Sequence, residues 1–102
     1  MEIIYKGTQY STAIKSPRTI SGARLYNLAT QTHIDATLGS GTHGSDGMYT
    51  YNMSISPSQT ASIPQGIYNL ELFSTAGGVT SIEAYYENYA KVKESSFTQQ
   101  YS

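Results

Sequence analysis

Apolar and polar residues alternate along most of this chain with a period of two, the spacing of a β-strand that buries one face. The longest clean run spans Met48 to Ile55. A second run, Ile67 to Leu72, places Tyr68, Leu70 and Leu72 on one face. Periodic runs of helix-forming residues are missing. The pattern therefore predicts an all-β protein in which the Ile67 to Leu72 strand is the best core element.

Turn signals divide the rest of the chain into further short strands at intervals of about ten residues. The other predicted strands are Gln9 to Ile14, Ala23 to Leu28, His33 to Leu38, Thr80 to Tyr86 and Tyr89 to Lys93, with Ile3 to Lys6 as a short apolar edge or arm. About seven or eight short strands of this kind are typical of an antiparallel sandwich or barrel, and we favour the sandwich.

The segment between the two clearest strands contains a helical turn and a stop. Ser56 can cap that turn, and Pro57 stands at the first position, where a helix tolerates proline. Ile63 precedes Pro64 and is therefore disfavoured in the helical region, while Gly66 supplies the positive φ that a tight turn needs. This segment predicts a short helix that stops before the central strand begins.

Length and charge narrow the class of protein. A chain of 102 residues suits one domain, and we expect a β-sandwich over residues 1–94 with a polar tail over 95–102. There is no cysteine, which excludes disulfides and thiolate zinc sites. The net charge of −1 and the scattered basic residues argue against nucleic acid or anionic lipid as a partner. Without a secretion signal or a membrane-length apolar run, we expect a soluble protein made in the cytoplasm.

Three glycines, Gly39, Gly41 and Gly44, have the spacing of a dinucleotide-binding fingerprint. That fingerprint functions only where a helix follows and its N-terminus holds the pyrophosphate. Here the Met48 to Ile55 strand follows. We therefore interpret the glycines as part of a surface loop and expect no cofactor.

Two pairs of side chains have the chemistry of metal ligands or proton carriers, namely His33 with Asp35 and His43 with Asp46. Neither pair makes a site alone. His33 and Asp35 fall on the outer face of one strand, where solvation is the simpler interpretation. Since the chain also lacks a nucleophile elbow and clustered carboxylates, we expect no catalytic residue, no metal site and no enzyme.

Aromatic residues dominate the candidate contacts. If Tyr86 faces the core, then at least one of Tyr85 and Tyr89 faces outward, where amphipathic rings favour protein interfaces. Ordinary cross-strand stacking of the tyrosines is the alternative. The sequence therefore indicates a contact patch that includes Tyr85 and Tyr89.

The two chain ends carry isolated apolar residues, Ile3, Ile4 and Tyr5 in one and Phe97 and Tyr101 in the other. Terminal segments are poorly ordered unless they dock, so these residues predict docking on a neighbouring subunit. The alternatives are that Ile3 and Ile4 begin the first strand and that the tail has no docked position. The predicted partner interface is Ile3, Ile4, Tyr5, Tyr85, Tyr89, Phe97 and Tyr101.

Several stretches together carry a family resemblance. The most specific joins Gln59-Thr60-Ala61 to Ile63-Pro64-x-Gly66-x-Tyr68, and the others are Tyr10 with Ile14, Ile20-Ser21-Gly22-Ala23-Arg24-Leu25, Leu70-Glu71-Leu72 and Tyr86 to Val92. Over most of its length the chain resembles a small immunoglobulin-like β-sandwich domain of tailed-phage virion proteins. Those relatives usually have a glycine just before the last strand. Asn88 stands there in this chain, and asparagine also tolerates the left-handed conformation.

The resemblance implies assembly rather than catalysis, and it brings no catalytic residues. It implies an auxiliary or decoration protein of the phage capsid, located in the virion and present in many copies. The implied partners are other virion proteins, the major capsid protein first, with no nucleic acid and no membrane. A tail or baseplate component, or a protein-binding β-sandwich module outside phages, is the alternative.

Overall fold

The computed structural model describes residues 1–94 as eight strands and one short helix. In chain order they are β1 (Glu2–Tyr5), β2 (Tyr10–Ser16), β3 (Gly22–Asn27), β4 (Thr32–Leu38), β5 (Thr42–His43), β6 (Tyr49–Ile55), α1 (Pro57–Ser62), β7 (Gly66–Ala76) and β8 (Val79–Lys93). Strands make up 63% of the structure and helix 6%, so the all-β prediction is confirmed.

The strands follow one path, in the order β1-β8-β7-β3-β4-β6-β2, and β5 adds to β6. Neighbours are antiparallel except β1 and β8, which pair in parallel from Glu2 opposite Ala90 to Tyr5 opposite Lys93. The path curves into a nearly closed, barrel-like arrangement. This arrangement does not confirm the predicted immunoglobulin-like sandwich.

The alternating pattern assigns the buried faces correctly. Met53 and Ile55 of β6 are buried, as are Tyr68 and Leu72 of β7 and Leu25 of β3. Full burial of such a side chain contributes roughly 1.5–3 kcal/mol, so these inner faces supply most of the stabilisation of the core.

Helix α1 has the predicted signals at both ends. The backbone N–H of Gln59 donates to Ser56 Oγ at 3.3 Å, and Gln59 Oε1 accepts from the N–H of Ser56 at 3.0 Å. This reciprocal pair is a capping box, with Pro57 next to it inside the helix. Ile63 is extended, with φ −101° and ψ 148°, and Pro64 follows, so the helix stops where the sequence indicates.

The corner between α1 and β7 is closed by a tyrosine. The buried ring of Tyr68 directs its hydroxyl to the carbonyl oxygen of Pro64, to which it donates at 2.7 Å. Gly66 between them has φ +143°, and a Cβ there would meet Asn27 Nδ2 at 3.0 Å. Both the backbone conformation and the space therefore favour glycine at this position.

The two strands predicted at the C-terminal end are one continuous strand, β8, with irregular register. Tyr68 lies opposite Ala90, but Leu70 lies opposite Tyr86, so β8 contains extra residues there. Asn88 adopts the left-handed conformation, with φ +53°, and donates its backbone N–H to Asn69 Oδ1 at 2.9 Å. The left-handed conformation at Asn88 agrees with the tolerance noted for asparagine, although it falls inside the strand rather than before it.

Alternation along β7 places Asn69 on the outer face, opposite to Tyr68 and Leu70, yet this residue is not solvated. It is only 6% exposed, because its amide fills the bulge. Besides accepting from Asn88, it donates through Nδ2 to the hydroxyl of Tyr85 at 2.7 Å. The alternating pattern gave the correct face for Asn69 but not its burial, since the bulge covers it.

Candidate interaction surface

One part of the barrel is not closed by backbone pairing. We call this gap between β2 and residues 83–89 of β8 the seam; within residues 1–94 no strand ladder crosses it. At one end the hydroxyls of Tyr10 and Tyr89 lie 2.8 Å apart. At the other end Arg18, two residues beyond the end of β2, places its Nη1 3.8 Å from Glu83 Oε2. Side chains alone therefore connect the two strands.

An apolar cleft of about 210 Å³ opens in the seam. It is lined by Ala13, Ile14, Lys15, Leu70, Tyr86 and Tyr89. Ile14 and Leu70 are buried and form its floor, while the Tyr86 side chain stays 43% exposed. The Lys15 ammonium turns away to Asp46, with Nζ 2.9 Å from Oδ2. The cleft thus presents apolar surface bordered by aromatic rings.

The Tyr10 hydroxyl joins three strands at the closed end of the seam. It lies 2.9 Å from Glu2 Oε1 of β1, to which it donates, as well as against Tyr89 of β8. Partial burial, followed by these hydrogen bonds, raises the pKa of Tyr10 well above its ordinary value. Burial is also the largest cause that raises the pKa of Tyr89. Both phenols stay protonated at neutral pH and act as structural hydrogen-bonding groups.

The predicted N-terminal contact residues have different surroundings. Ile4 lies opposite Val92 and is 1% exposed, so it belongs to the core and is closed to a partner while β1 stays paired. Ile3 is 43% exposed and Tyr5 is half-buried. The structure has the alternative arrangement, in which Ile3 and Ile4 begin the first strand.

The predicted tyrosine contacts are also separated. Tyr85 and Tyr86 are equally exposed but lie on opposite faces of β8, since Tyr85 is opposite Glu71 and Tyr86 is opposite Leu70. Tyr86 and the half-buried Tyr89 border the seam. Phe97 and Tyr101 lie outside the described residues. Contact of any of these residues with a partner stays a prediction.

The outer part of the β7–β8 hairpin is an exposed feature that sequence reasoning missed. The ladder with β3 begins at Gly22 opposite Phe73, so residues 74–81 extend beyond β3 as a two-stranded ribbon, here called the hairpin tip. Val79, within the tip, is 65% exposed, and Ile82, next to the tip, is 50% exposed. No charged residue occurs from 74 to 82. In the sequence, this exposed ribbon is indicated by the loss of apolar–polar alternation in residues 79–82, after the turn at Gly77.

The histidine–aspartate pairs do not converge. His33 stacks on Tyr26 and His43 stacks on Tyr49, with ring centroids 6.5 and 4.6 Å apart. The hydrogen bond from Lys15 lowers the pKa of Asp46. In the part of the chain that the structure describes, no three His, Asp or Glu side chains group as metal ligands, and no helix is long and apolar enough to span a membrane.

The loop around Gly39, Gly41 and Gly44 leads into strands rather than a helix. β5 pairs within it, with Thr42 opposite Thr50, and β6 follows directly. At Gly41 a Cβ would lie 2.6 Å from the ring of Tyr51, so close packing explains this glycine. The spacing therefore does not form a helix N-terminus for a pyrophosphate.

No protein-family model matches this sequence, and no curated protein or solved structure is significantly similar to it. The resemblance to phage virion domains consequently has no support from relatives. It therefore supports a function for this protein only as a proposal.

Proposed function

We propose that this chain is a non-enzymatic structural protein of a tailed-phage particle, built on an immunoglobulin-like domain and serving as an auxiliary protein of the capsid. The observation that carries the proposal is the corner from Gln59 to Tyr68. This segment holds the most specific part of the resemblance, and it folds as one unit between the Gln59 capping box and the Tyr68 hydrogen bond.

The immunoglobulin-like part of the proposal has two supports. In such domains a tyrosine near the start of strand F donates to the backbone a few residues upstream, as Tyr68 of β7 does to Pro64. The order β8-β7-β3-β4 corresponds to strands G, F, C and C′, and the β2–β6 pair corresponds to B and E. On this interpretation β4, which pairs with both β3 and β6, joins the two faces of a sandwich.

The use of buried polar groups supports a structural role. The Thr60 side chain is fully buried, and its hydroxyl accepts from Gly7 N–H at 3.0 Å and donates to the Thr8 carbonyl at 2.8 Å. Asn69 likewise uses its amide to hold the β8 bulge. These polar groups stabilise corners of the fold, which is what a rigid component of an assembly requires.

The exposed apolar surface supports contact with other proteins. The hairpin tip presents Val79, with Ile82 beside it, and residues 74–82 themselves carry no charge that would oppose burial. A ribbon of this kind can reach a groove on an adjacent subunit. The major capsid protein is the proposed partner, and many copies would bind to one particle.

A tail or baseplate component is the second candidate, and a protein-binding module outside phages is the third. The corner carries the resemblance and therefore favours the two phage functions over the third, whereas the hairpin tip suits all three. Neighbouring genes separate them: capsid, portal or terminase genes indicate the head, whereas tape-measure or tail-tube genes indicate the tail. A gene neighbourhood with neither would weaken the phage assignment.

Co-sedimentation tests the proposal directly. The chain is mixed with capsids assembled from the major capsid protein of the same genome, and separately with tail tubes. We expect saturable binding to the capsids alone. The variant Val79→Asp in the hairpin tip should lower occupancy, whereas Leu28→Asp, at a similarly exposed position outside the hairpin, should not. A chain that stays in the supernatant with both particles contradicts the virion function.

A further inference from the structure

We propose that the seam accepts an extended strand from residues 95–102 of a second copy of this chain, paired with the free edge of β2. The proposed strand adds next to Ile14 and directs Phe97 into the cleft. The inference goes beyond the virion assignment and does not depend on it, because it rests on the geometry of the seam.

The β2 edge is suited to strand addition. On one side β2 pairs with β6 in unbroken register from Tyr10 opposite Ile55 to Ser16 opposite Tyr49. Its other side faces the seam. An exposed edge pairs readily with another chain unless charges, bulges or prolines protect it. The one charged residue of β2, Lys15, forms an ion pair with Asp46, away from the cleft. On the other side of the seam, β8 is irregular and therefore less suited to pairing.

The cleft supplies the specificity that backbone pairing lacks. In strand addition, main-chain hydrogen bonds give affinity, and pockets for alternate side chains select the sequence. Here the floor is Ile14 and Leu70, and the rings of Tyr86 and Tyr89 border it. An aromatic ring entering this space would be surrounded by aliphatic and aromatic carbon, which is the environment aromatic side chains prefer.

Residues 95–102 match this site in sequence. Phe97 and Tyr101 are four positions apart, so both fall on one face of an extended strand. No charged residue occurs in this stretch, so burial leaves no ion desolvated. Its eight residues suffice to cover the seven residues of β2.

The position of the chain end indicates a second copy rather than the same chain. β8 ends at Lys93, whose carbonyl accepts from Lys6 N–H at 2.9 Å. Lys6 follows Tyr5, which is the end of β1 farther from the cleft. Phe97, three residues after Glu94, reaches at most ~10 Å from it. Tyr89, at the near end of the cleft, lies five residues back along β8, or about 16 Å. Because side chains of an extended strand stand roughly perpendicular to it, the Phe97 ring adds little to this reach. Phe97 of the same chain therefore falls short of the cleft, whereas Phe97 of a second copy is under no such limit.

Sedimentation velocity of the full-length protein over a range of concentrations tests this inference. We expect reversible self-association in the wild type. Phe97→Ala should weaken it by about tenfold or more, since the ring buries a large apolar area. Thr98→Ala, on the opposite face of the proposed strand, is the matched control and should associate like the wild type.

A second pair of variants tests the seam itself. Tyr86→Asp places a charge in the cleft, whereas Tyr85→Asp places it on the other face of the same strand at equal exposure. Only Tyr86→Asp should abolish association, and thermal melts establish that both variants are folded. A wild type that is monomeric at every concentration overturns the inference, as does equal behaviour within either pair of variants.

Disulfide trapping identifies the donor, because the chain has no cysteine of its own. Ala13→Cys in β2 and Thr98→Cys in the tail, which lie on the outer face of the proposed strand pair next to Ile14 and Phe97, are mixed as separate proteins and oxidised. We expect a mixed disulfide dimer that is lost when Leu28→Cys replaces Ala13→Cys. A link that forms only within one doubly substituted chain overturns the second-copy assignment, since the occupant would then be the chain's own tail.

Discussion

The centre of the sheet and the seam follow the same alternating pattern but differ in burial. β3 has a paired strand on each side, β4 and β7, and its Leu25 is completely buried. Tyr86 also occupies an inward position, opposite Leu70, yet it stays 43% exposed because no strand covers it from the seam side. The alternation therefore determines the face of the sheet to which a side chain belongs, whereas the neighbouring strands determine whether it is buried.

Truncating a buried side chain at the centre of the sheet should have the largest effect on the free energy of unfolding. Leu25→Ala is expected to lower the free energy of unfolding by ~2–5 kcal/mol, because a cavity forms between paired strands. The matched control is Leu28→Ala, three residues along and mostly exposed, which should cost under ~0.5 kcal/mol. Urea melts measure both. Similar losses in the two variants would mean that the inner face of β3 is wrongly assigned.

The corner hydrogen bond should give an intermediate effect. Tyr68→Phe removes the hydroxyl that donates to Pro64 but keeps the buried ring, so the expected loss is ~0.5–1.5 kcal/mol. Tyr26→Phe, on the outer face of β3, should change the free energy of unfolding by less than ~0.5 kcal/mol. If Tyr68→Phe melts like the wild type, the corner does not depend on this bond.

The tyrosine bridge across the seam should give the smallest effect, and only at alkaline pH. Burial, the largest cause, raises the pKa of Tyr10 in the folded protein above the unfolded value of 10.0. Its contribution to stability is therefore complete below pH 10 and decreases as pH rises above 10, because the unfolded chain releases the proton first. Tyr10→Phe should flatten this alkaline decline in urea midpoints, and Tyr26→Phe should not. An unchanged pH dependence in Tyr10→Phe would exclude the bridge as its source.

The strand faces and the helix stop were predictable because both depend on local signals. The period of two identifies the inner residues of β6 and β7 without any knowledge of their partners. Ser56, Pro57 and Pro64 set the limits of α1 through capping and proline sterics, which act within a few residues. The short helix and the central strand are accordingly where the sequence indicates.

The seam and the parallel pairing of the first strand were not predictable, because they depend on contacts between distant parts of the chain. Nothing in residues 3–6 indicates that Ile4 lies opposite Val92 in a parallel pair. The Tyr10–Tyr89 bridge likewise requires the strand order to be known. Gly22 is a further case: a Cβ there would clash with the Phe73 ring, a constraint that no local pattern contains.

The parallel pairing of β1 with β8 has a mechanical consequence. Glu2 begins one strand and Lys93 ends the other, and the two strands run side by side in the same direction. Tension that pulls the two ends of this domain apart is therefore directed along both strands in opposite senses. It loads the backbone hydrogen bonds of the pair together, in shear, rather than opening them one after another. Several backbone hydrogen bonds thus oppose tension between Glu2 and Lys93 at once, and such tension can separate β1 from β8 only by shearing them together.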